Sequence, residues 1–177
     1  MTTASQHPVA YVIAGSESTG GAVICKGQEP GAALDTGNAL RAEILPLATV
    51  VTPNLFEAAT LAGMDELTTV DDLAEAGRRI ADLGPKYVIV KGGVGLAGDD
   101  AVDVVVDGGE VTVLRAPKVG DERVSGAGCV FAASTTAELA KGAEVLDAVT
   151  AAKQFTYRGI VARVSSAAPF DAVGFSD

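Results

Sequence analysis

The segment Ser125-Gly126-Ala127-Gly128-Cys129 combines two glycines with a cysteine directly before an apolar helical stretch. Glycines let backbone amides approach a ligand closely, and the start of the following helix favours negative charge. Such a loop suits an anion with developing charge, such as a phosphoryl group in transfer. The same helix end favours the thiolate of Cys129, which makes this residue a candidate base. A tight turn beside a small buried cysteine is the alternative, and the spacing leaves both interpretations open.

Asn54 and Glu57 lie three residues apart at a predicted helix start. At this spacing both side chains can face the same side of the helix. An amide and a carboxylate there could hold hydrated Mg²⁺ beside phosphates. Helix capping by Asn54, with Glu57 in the first turn, explains the pair without a ligand, and the pattern alone favours that structural interpretation.

Lys91 ends a predicted strand and is followed by two glycines, so its ammonium could reach a nucleotide phosphate. An ordinary solvated lysine explains this position equally well.

Residues Gly93 to Gly98 match the G-x-G-x-x-G spacing of dinucleotide-binding loops. In those loops a helix begins within the motif. Alternating valines follow instead and predict a strand, which favours a plain glycine turn. The loop from Gly15 to Gly21 lacks the Gly-Lys-Ser/Thr ending of a phosphate-binding P-loop, but it could cradle a substrate.

The elements that must position these residues alternate between short apolar strands and longer helical stretches. Strands are predicted at residues 9–14, 48–51, 87–90, 101–106 and 111–116, with a hairpin turn at 107–109. Helices are predicted at residues 38–45, 55–62, 70–83, 127–139 and 144–164. This order predicts an α/β fold, in which a mostly parallel sheet is covered by helices on both faces and carries one antiparallel hairpin.

The composition restricts the partners and the location. The 177 residues carry a formal net charge of −10, which disfavours nucleic acid as a partner, and the length favours a single domain spanning residues 1–177. No apolar run reaches the roughly 20 residues of a membrane-spanning helix, so no membrane partner is expected. Two cysteines and one histidine offer little for a disulfide framework or a metal centre. With no signal-peptide pattern in the first residues, we expect a reducing, cytoplasmic location.

The order of the motifs resembles the ribokinase-like vitamin kinases, most closely the bacterial pyridoxine/pyridoxal kinases of the hydroxymethylpyrimidine kinase type. The matching motifs are Gly-Ser-acid-Ser-x-Gly-Gly after the first strand, Thr-Pro-Asn-x-x-Glu-Ala, Val-Lys-Gly-Gly and Gly-Ala-Gly-Cys. The resemblance extends from Val9 to about Phe155. Sugar kinases of this fold resemble Gly-Ala-Gly-Asp at the last motif, so the cysteine argues against a sugar kinase.

This resemblance implies that ATP donates its γ-phosphoryl group to a hydroxymethyl group of pyridoxine, pyridoxal or a hydroxymethylpyrimidine, as in vitamin metabolism and thiamine biosynthesis. The segment from Gly126 to Gly128 would form the anion hole, and Cys129 would accept the proton. Asn54 and Glu57 would hold Mg²⁺ and phosphate through water, and Lys91 would contact ATP. Positioning and charge neutralisation are most of what phosphoryl transfer requires.

The resemblance also implies where the two substrates lie. The turn that starts at Gly93 would border the nucleotide. The vitamin would be bordered by Gly15, Ser16, Glu17 and Gly21. Ser125 stands where these kinases usually carry His, and Glu17 stands where they usually carry Asp, and both departures affect the handling of the substrate.

An internal segment of the family pattern is absent near residues 22–23. In the family, further strand–helix units follow the first glycine loop, whereas Ala22 here leads directly into Val23-Ile24-Cys25-Lys26. At about 30 residues per strand–helix–strand unit, two or three units are absent. This gap supports a second hypothesis, a non-catalytic or truncated remnant with at most weak nucleotide binding. Exposed strand edges would favour a homodimer or a higher oligomer.

Overall fold

A four-stranded mixed sheet forms the centre of the protein. The computed structural model describes residues 30–165 and 170–175. Its strands lie across the sheet in the order β1 (Val50–Val51), β2 (Tyr87–Lys91), β3 (Asp100–Asp107) and β4 (Glu110–Pro117). β1 pairs with β2 in parallel, whereas β2 with β3 and β3 with β4 pair antiparallel. The predicted α/β class and its hairpin are therefore confirmed.

Within the described residues the sheet is mixed rather than mostly parallel. Residues 92–99, which connect β2 to β3, form turns. A parallel connection needs a crossover of a dozen or more residues, usually a helix, so this short connection returns the chain antiparallel to β2. The strand predicted at residues 9–14 lies outside the described residues.

Helices cover both faces of the sheet, as predicted. α2 (Leu55–Ala62) and α3 (Val70–Ala81) pack on the face that carries Val88, Val90 and Val104. The opposite face, with Ile89 and Val105, packs against α4 (Ala127–Ala140) and α5 (Val145–Val161). The alternation of strand side chains between the two faces produces these two separate apolar layers.

The predicted boundaries are accurate where local signals are strong. α2 begins behind Asn54 as predicted, and α3 begins at residue 70 as predicted, behind Thr69, whose hydroxyl accepts the Asp72 amide in a capping box. The hairpin turns at residues 108–109. No helix begins within residues 93–98, so the glycine-turn interpretation of that motif is confirmed.

Three predicted boundaries are wrong. α1 spans Pro30–Ala39 and continues as a π-helical turn at Leu40–Ile44 and a 3₁₀ turn at Leu45–Leu47, instead of one helix over 38–45. Proline suits a first helical position, a signal that the apolar spacing missed. β1 is only two residues long, and α5 ends at Val161 because Val164 pairs with Ala172 in an isolated bridge.

Among the described residues, no helix has the length and apolar character needed to cross a bilayer.

Candidate active site

The loop before α4 is held in an unusual backbone conformation. Gly126, the residue that precedes the helix, has φ +85°, a left-handed geometry that L-residues adopt at a cost. A Cβ atom there would lie 3.1 Å from Cγ2 of Val173. The helical hydrogen bonds begin with the amide of Val130, which donates to the carbonyl of Gly126 at 2.9 Å. The Ala127 amide donates to the Val124 carbonyl at a long 3.4 Å. The first amides of a helix have no intrahelical acceptor, so this helix start can offer donors to an anion.

The chain's last described segment fixes this loop from the side. The Ser125 amide donates to the Asp171 carbonyl at 2.7 Å, and the Val173 amide donates to the Ser125 carbonyl at 3.0 Å. Phe175 then stacks on Phe155 of α5 with ring centroids 4.7 Å apart. The start of α4 is therefore supported by backbone pairing as well as by its own helix.

Asn54 and Glu57 form a reciprocal capping box at the start of α2. Asn54 Oδ1 accepts the Glu57 amide, and Glu57 Oε2 accepts the Asn54 amide, both at 3.0 Å. The structural interpretation of this pair is therefore confirmed. Glu57 is only 3% exposed, which is rare for a carboxylate, so its charge lies inside the protein beside the cleft described below.

Lys91 lies at the end of β2, next to the start of α2. Its amide donates to the Pro53 carbonyl at 2.9 Å, and its ammonium donates to the carbonyl of Thr52. Burial lowers the pKa of Lys91, while the nearby charges of Glu57, Asp103 and Cys129 act in the opposite direction. The net lowering means that this cation lacks the hydration or ion pairing of an ordinary lysine.

A cleft of about 370 Å³ joins most of the predicted nucleotide-side residues. Its lining includes Asn54, Lys91 and Gly93 together with Gly126, Ala127 and Gly128. Its volume lies within the usual range for small-molecule sites. Apolar residues of β4, its following loop and α5 extend the wall, among them Ala116, Pro117, Val119 and Ile160.

The other predicted site residues lie outside this lining. Glu57 is buried in the capping box, and Cys129 is exposed at the start of α4. The alternative interpretation of Cys129 as a small buried cysteine is therefore wrong, because this face of α4 is open to solvent among the described residues. Gly15, Ser16, Glu17 and Gly21 lie outside the described residues.

Two features of the cleft were missed by the sequence analysis. Asp103 on β3 and Lys153 on α5 form a largely buried ion pair in its wall, with 2.8 Å between Oδ2 and Nζ. Asp103 interrupts a run of valines, and this interruption was a usable signal. Thr156 also lines the cleft, and its hydroxyl is buried without a hydrogen-bond partner among the described residues. Thr156 could not be found in this way, because a threonine is an ordinary residue in an amphipathic helix and interrupts no pattern.

The family model for phosphomethylpyrimidine kinase matches residues 21–171. The chain belongs to the phosphomethylpyrimidine kinase family. The earlier resemblance to ribokinase-like vitamin kinases is thereby confirmed. The motifs that carried it from residue 21 onward lie inside the matched range.

Individual relatives include kinases for two kinds of vitamin precursor. The pyridoxine kinase of Bacillus subtilis (strain 168) is 50% identical over 133 residues, covering 75% of this chain and 49% of the relative. The hydroxymethylpyrimidine/phosphomethylpyrimidine kinase of Synechococcus elongatus is 41% identical over 121 residues, covering 68% and 46%. A solved structure, the pyridoxal kinase from Staphylococcus aureus in complex with AMP-PCP and pyridoxal, is 38% identical with a TM-score of 0.77. It covers 80% of this chain and 52% of that chain.

The chain therefore spans about half the length of the relatives that it matches. Over 80% of its length it nevertheless matches the structure of a pyridoxal kinase at 38% identity. The shortened family pattern expected from the sequence agrees with this partial coverage.

Proposed function

We propose that this family member is an ATP-dependent phosphotransferase that phosphorylates the hydroxymethyl group of pyridoxine, pyridoxal or a hydroxymethylpyrimidine. The observation that carries the proposal is the single cleft that joins Lys91 to the loop from Gly126 to Gly128. A lysine and a glycine-flanked helix start in the same cleft are a suitable combination for a phosphate chain. The relatives with bound AMP-PCP, an ATP analogue, support nucleotide as the ligand.

In this proposal the amides of the loop from Gly126 to Gly128 stabilise the charge that develops on the transferred phosphoryl group. Their positions are fixed before any ligand binds, because the left-handed Gly126 and the backbone bonds of Ser125 hold the loop. Preorganised donors of this kind need no rearrangement during the reaction. Lys91 neutralises a neighbouring phosphate, and Gly93 lets the turn after β2 border the nucleotide.

Cys129 accepts the proton of the hydroxymethyl group as its oxygen attacks phosphorus. Its position in the first turn of α4 places it directly after the loop from Gly126 to Gly128, and its exposure gives an acceptor access. The thiol that results would return its proton to solvent after the product leaves.

Magnesium fits the donors around Asn54. This ion retains most of its water and needs only one or two protein ligands beside the substrate's phosphates. Asn54 lines the cleft, and Glu57 places a buried carboxylate directly behind it in the capping box. We propose that both act on the hydrated ion through water, where Mg²⁺ would neutralise charge on the phosphates.

The acceptor is proposed to bind at Gly15, Ser16, Glu17 and Gly21, on the basis of the motif resemblance alone. Pyridoxine-type and pyrimidine-type acceptors both stay in the proposal, since relatives named for each kind match the chain. The proposal further includes one domain over residues 1–177, shortened near 22–23. It also includes a homodimer or higher oligomer and a cytoplasmic location.

A second candidate function is a non-catalytic or truncated remnant with at most weak nucleotide binding. The coverage of about half of each relative favours it, because residues that complete the acceptor site in a full-length kinase need not be present. The residues proposed to contact the nucleotide phosphates, Lys91 and the loop from Gly126 to Gly128, are present in this chain and line one cleft.

Phosphate transfer tests the two candidates directly. The wild-type chain is incubated with Mg·ATP and each of pyridoxal, pyridoxine and hydroxymethylpyrimidine, and the phosphorylated products are quantified. We expect turnover that falls roughly 100-fold or more in Cys129→Ala, because general-base catalysis contributes that much. Lys141→Met, which removes an exposed cation on α4, serves as the control and should leave turnover unchanged.

The remaining outcomes separate the candidates. Full turnover in Cys129→Ala would refute the role of this residue as the proton acceptor. Nucleotide binding without transfer to any acceptor would support the remnant. A folded wild-type protein with neither transfer nor nucleotide binding would refute the kinase proposal and would leave the remnant as a fold without a nucleotide site.

A further inference from the structure

Lys91 and Asp103 are direct neighbours across two strands of the sheet. They are register partners in the antiparallel pair of β2 and β3, and both line the cleft. Side chains opposite each other in such a pair have Cβ atoms about 5 Å apart, within reach of a salt bridge. Asp103 is 6% exposed, so its charge has little solvent around it and attracts the nearest cation strongly.

Each of the two residues nevertheless bonds to a different partner. The ammonium of Lys91 donates to the Thr52 carbonyl. Asp103 uses Oδ2 for the Lys153 ammonium at 2.8 Å and Oδ1 for the Gly92 amide at 3.2 Å. A second lysine-to-backbone bond, from Lys153 to the Ala101 carbonyl at 3.0 Å, holds the Lys153 ammonium beside Asp103.

Stability alone does not account for this arrangement. Replacing a buried ion pair by apolar groups is often neutral or stabilising, so such a pair is weak evidence for a contribution to the fold. The side chains of Lys153 and Asp103 are only 11% and 8% exposed, and the pair lies in the wall of the cleft. We therefore consider how the Asp103–Lys153 pair affects the neighbouring ammonium of Lys91.

We propose that Lys153 is a positioning residue that occupies Asp103 and thereby keeps the Lys91 ammonium free to bind a nucleotide phosphate. This inference rests on the proposed function, because the phosphate contact of Lys91 is part of it. A bond to a backbone carbonyl is readily exchanged for a phosphate oxygen, whereas a buried salt bridge to Asp103 would hold Lys91 away from the ligand.

The proposal predicts an asymmetric set of variants. Lys153→Met should let Asp103 capture Lys91 and weaken ADP binding roughly tenfold or more, the usual loss for a charge-assisted contact. Asp103→Asn removes the competing carboxylate and should keep ADP affinity within about threefold of wild type. The double variant Asp103→Asn with Lys153→Met should regain the affinity that Lys153→Met loses. A purely structural pair would instead make both single variants comparably weak.

Affinity is measured by calorimetry well below the unfolding temperature of each variant, so that unfolding does not enter the result. Lys141→Met is the matched control, since it removes an equivalent cation from the exposed pair with Glu138. If Lys153→Met fails to fold, Lys153→Gln takes its place, because Gln can still donate to Asp103 without neutralising it. A double variant as weak as Lys153→Met would show that Lys153 binds the nucleotide itself, and would overturn the proposal.

A crystal structure of ligand-free Lys153→Met or Lys153→Gln makes the test independent of nucleotide binding. We expect Lys91 Nζ within salt-bridge distance of Asp103 and away from the Thr52 carbonyl. An unmoved Lys91 ammonium would refute the proposal even if ADP binds. If the wild-type chain does not bind ADP, the proposed function fails, while this comparison still decides whether Lys153 controls the position of Lys91.

Discussion

At the residue scale, the environment of Lys91 departs from that of a surface lysine. Burial lowers its pKa from 10.5, although Glu57, Asp103 and Cys129 oppose the shift. The folded state therefore binds the proton of Lys91 less tightly than the unfolded state does. Between the lowered pKa and 10.5 the unfolded chain holds more protons, so this group's contribution to stability rises with pH.

Replacing Lys91 by methionine should remove that dependence. Below the lowered pKa the wild-type protein bears the full cost of a desolvated ammonium, and this cost disappears as pH approaches 10.5. We expect the stability of Lys91→Met relative to wild type to be highest near neutral pH and to decline with rising pH. Urea unfolding between pH 7 and 10 measures this difference. A difference that stays constant or grows with pH would contradict the desolvation of Lys91.

Thr156 provides a second test at the residue scale. Its buried hydroxyl has no partner among the described residues, so Thr156→Val should raise the free energy of unfolding by about 1 kcal/mol. The same change should weaken ADP binding, if the hydroxyl serves the cleft that it lines. Thr135→Val is the control, because the Thr135 hydroxyl donates to the Phe131 carbonyl at 2.9 Å and its loss should destabilise the fold. Chemical denaturation measures both changes. If the free energy of unfolding changes in the same direction in Thr156→Val and Thr135→Val, the Thr156 hydroxyl is not an unsatisfied buried group.

At the element scale, capping boxes explain why two helices could be predicted closely. The signals that start α2 and α3 lie within four consecutive residues, Asn54 to Glu57 and Thr69 to Asp72, so local spacing suffices. The Asp103–Lys153 pair joins residues 50 positions apart and depends on strand register and helix packing. Such a contact is not encoded in local periodicity, which is why the cleft's ion pair was missed.

The same two boxes allow capping to be separated from ligand binding. Asn54→Ala and Thr69→Ala should each lower the free energy of unfolding by about 1 kcal/mol, the usual loss of an N-cap. Only Asn54 lines the cleft, so only Asn54→Ala should also weaken Mg·ADP binding. Thermal unfolding and calorimetry on both variants measure the two effects. Unchanged Mg·ADP affinity in Asn54→Ala would assign this residue to capping alone.

At the scale of the whole molecule, the chain spans about half the length of the relatives that it matches. The sheet, the loop before α4 and the segment that begins at Phe170 all contribute residues to one cleft. The α/β class was predictable because strands and helices alternate along the chain. The antiparallel pairing of β2 with β3 was harder to predict, because it depends on how the short connection at 92–99 returns the chain beside β2.

The central claim is that this cleft binds the phosphates of a nucleotide through Lys91 and the loop before α4. Calorimetric titration of ADP with Mg²⁺ into wild type, Lys91→Met and Lys141→Met tests it most directly. We predict one ADP per chain for wild type, unchanged affinity in Lys141→Met, and a loss of roughly tenfold or more in Lys91→Met. Absence of binding by the folded wild-type protein, or equal affinity in Lys91→Met, would contradict the claim.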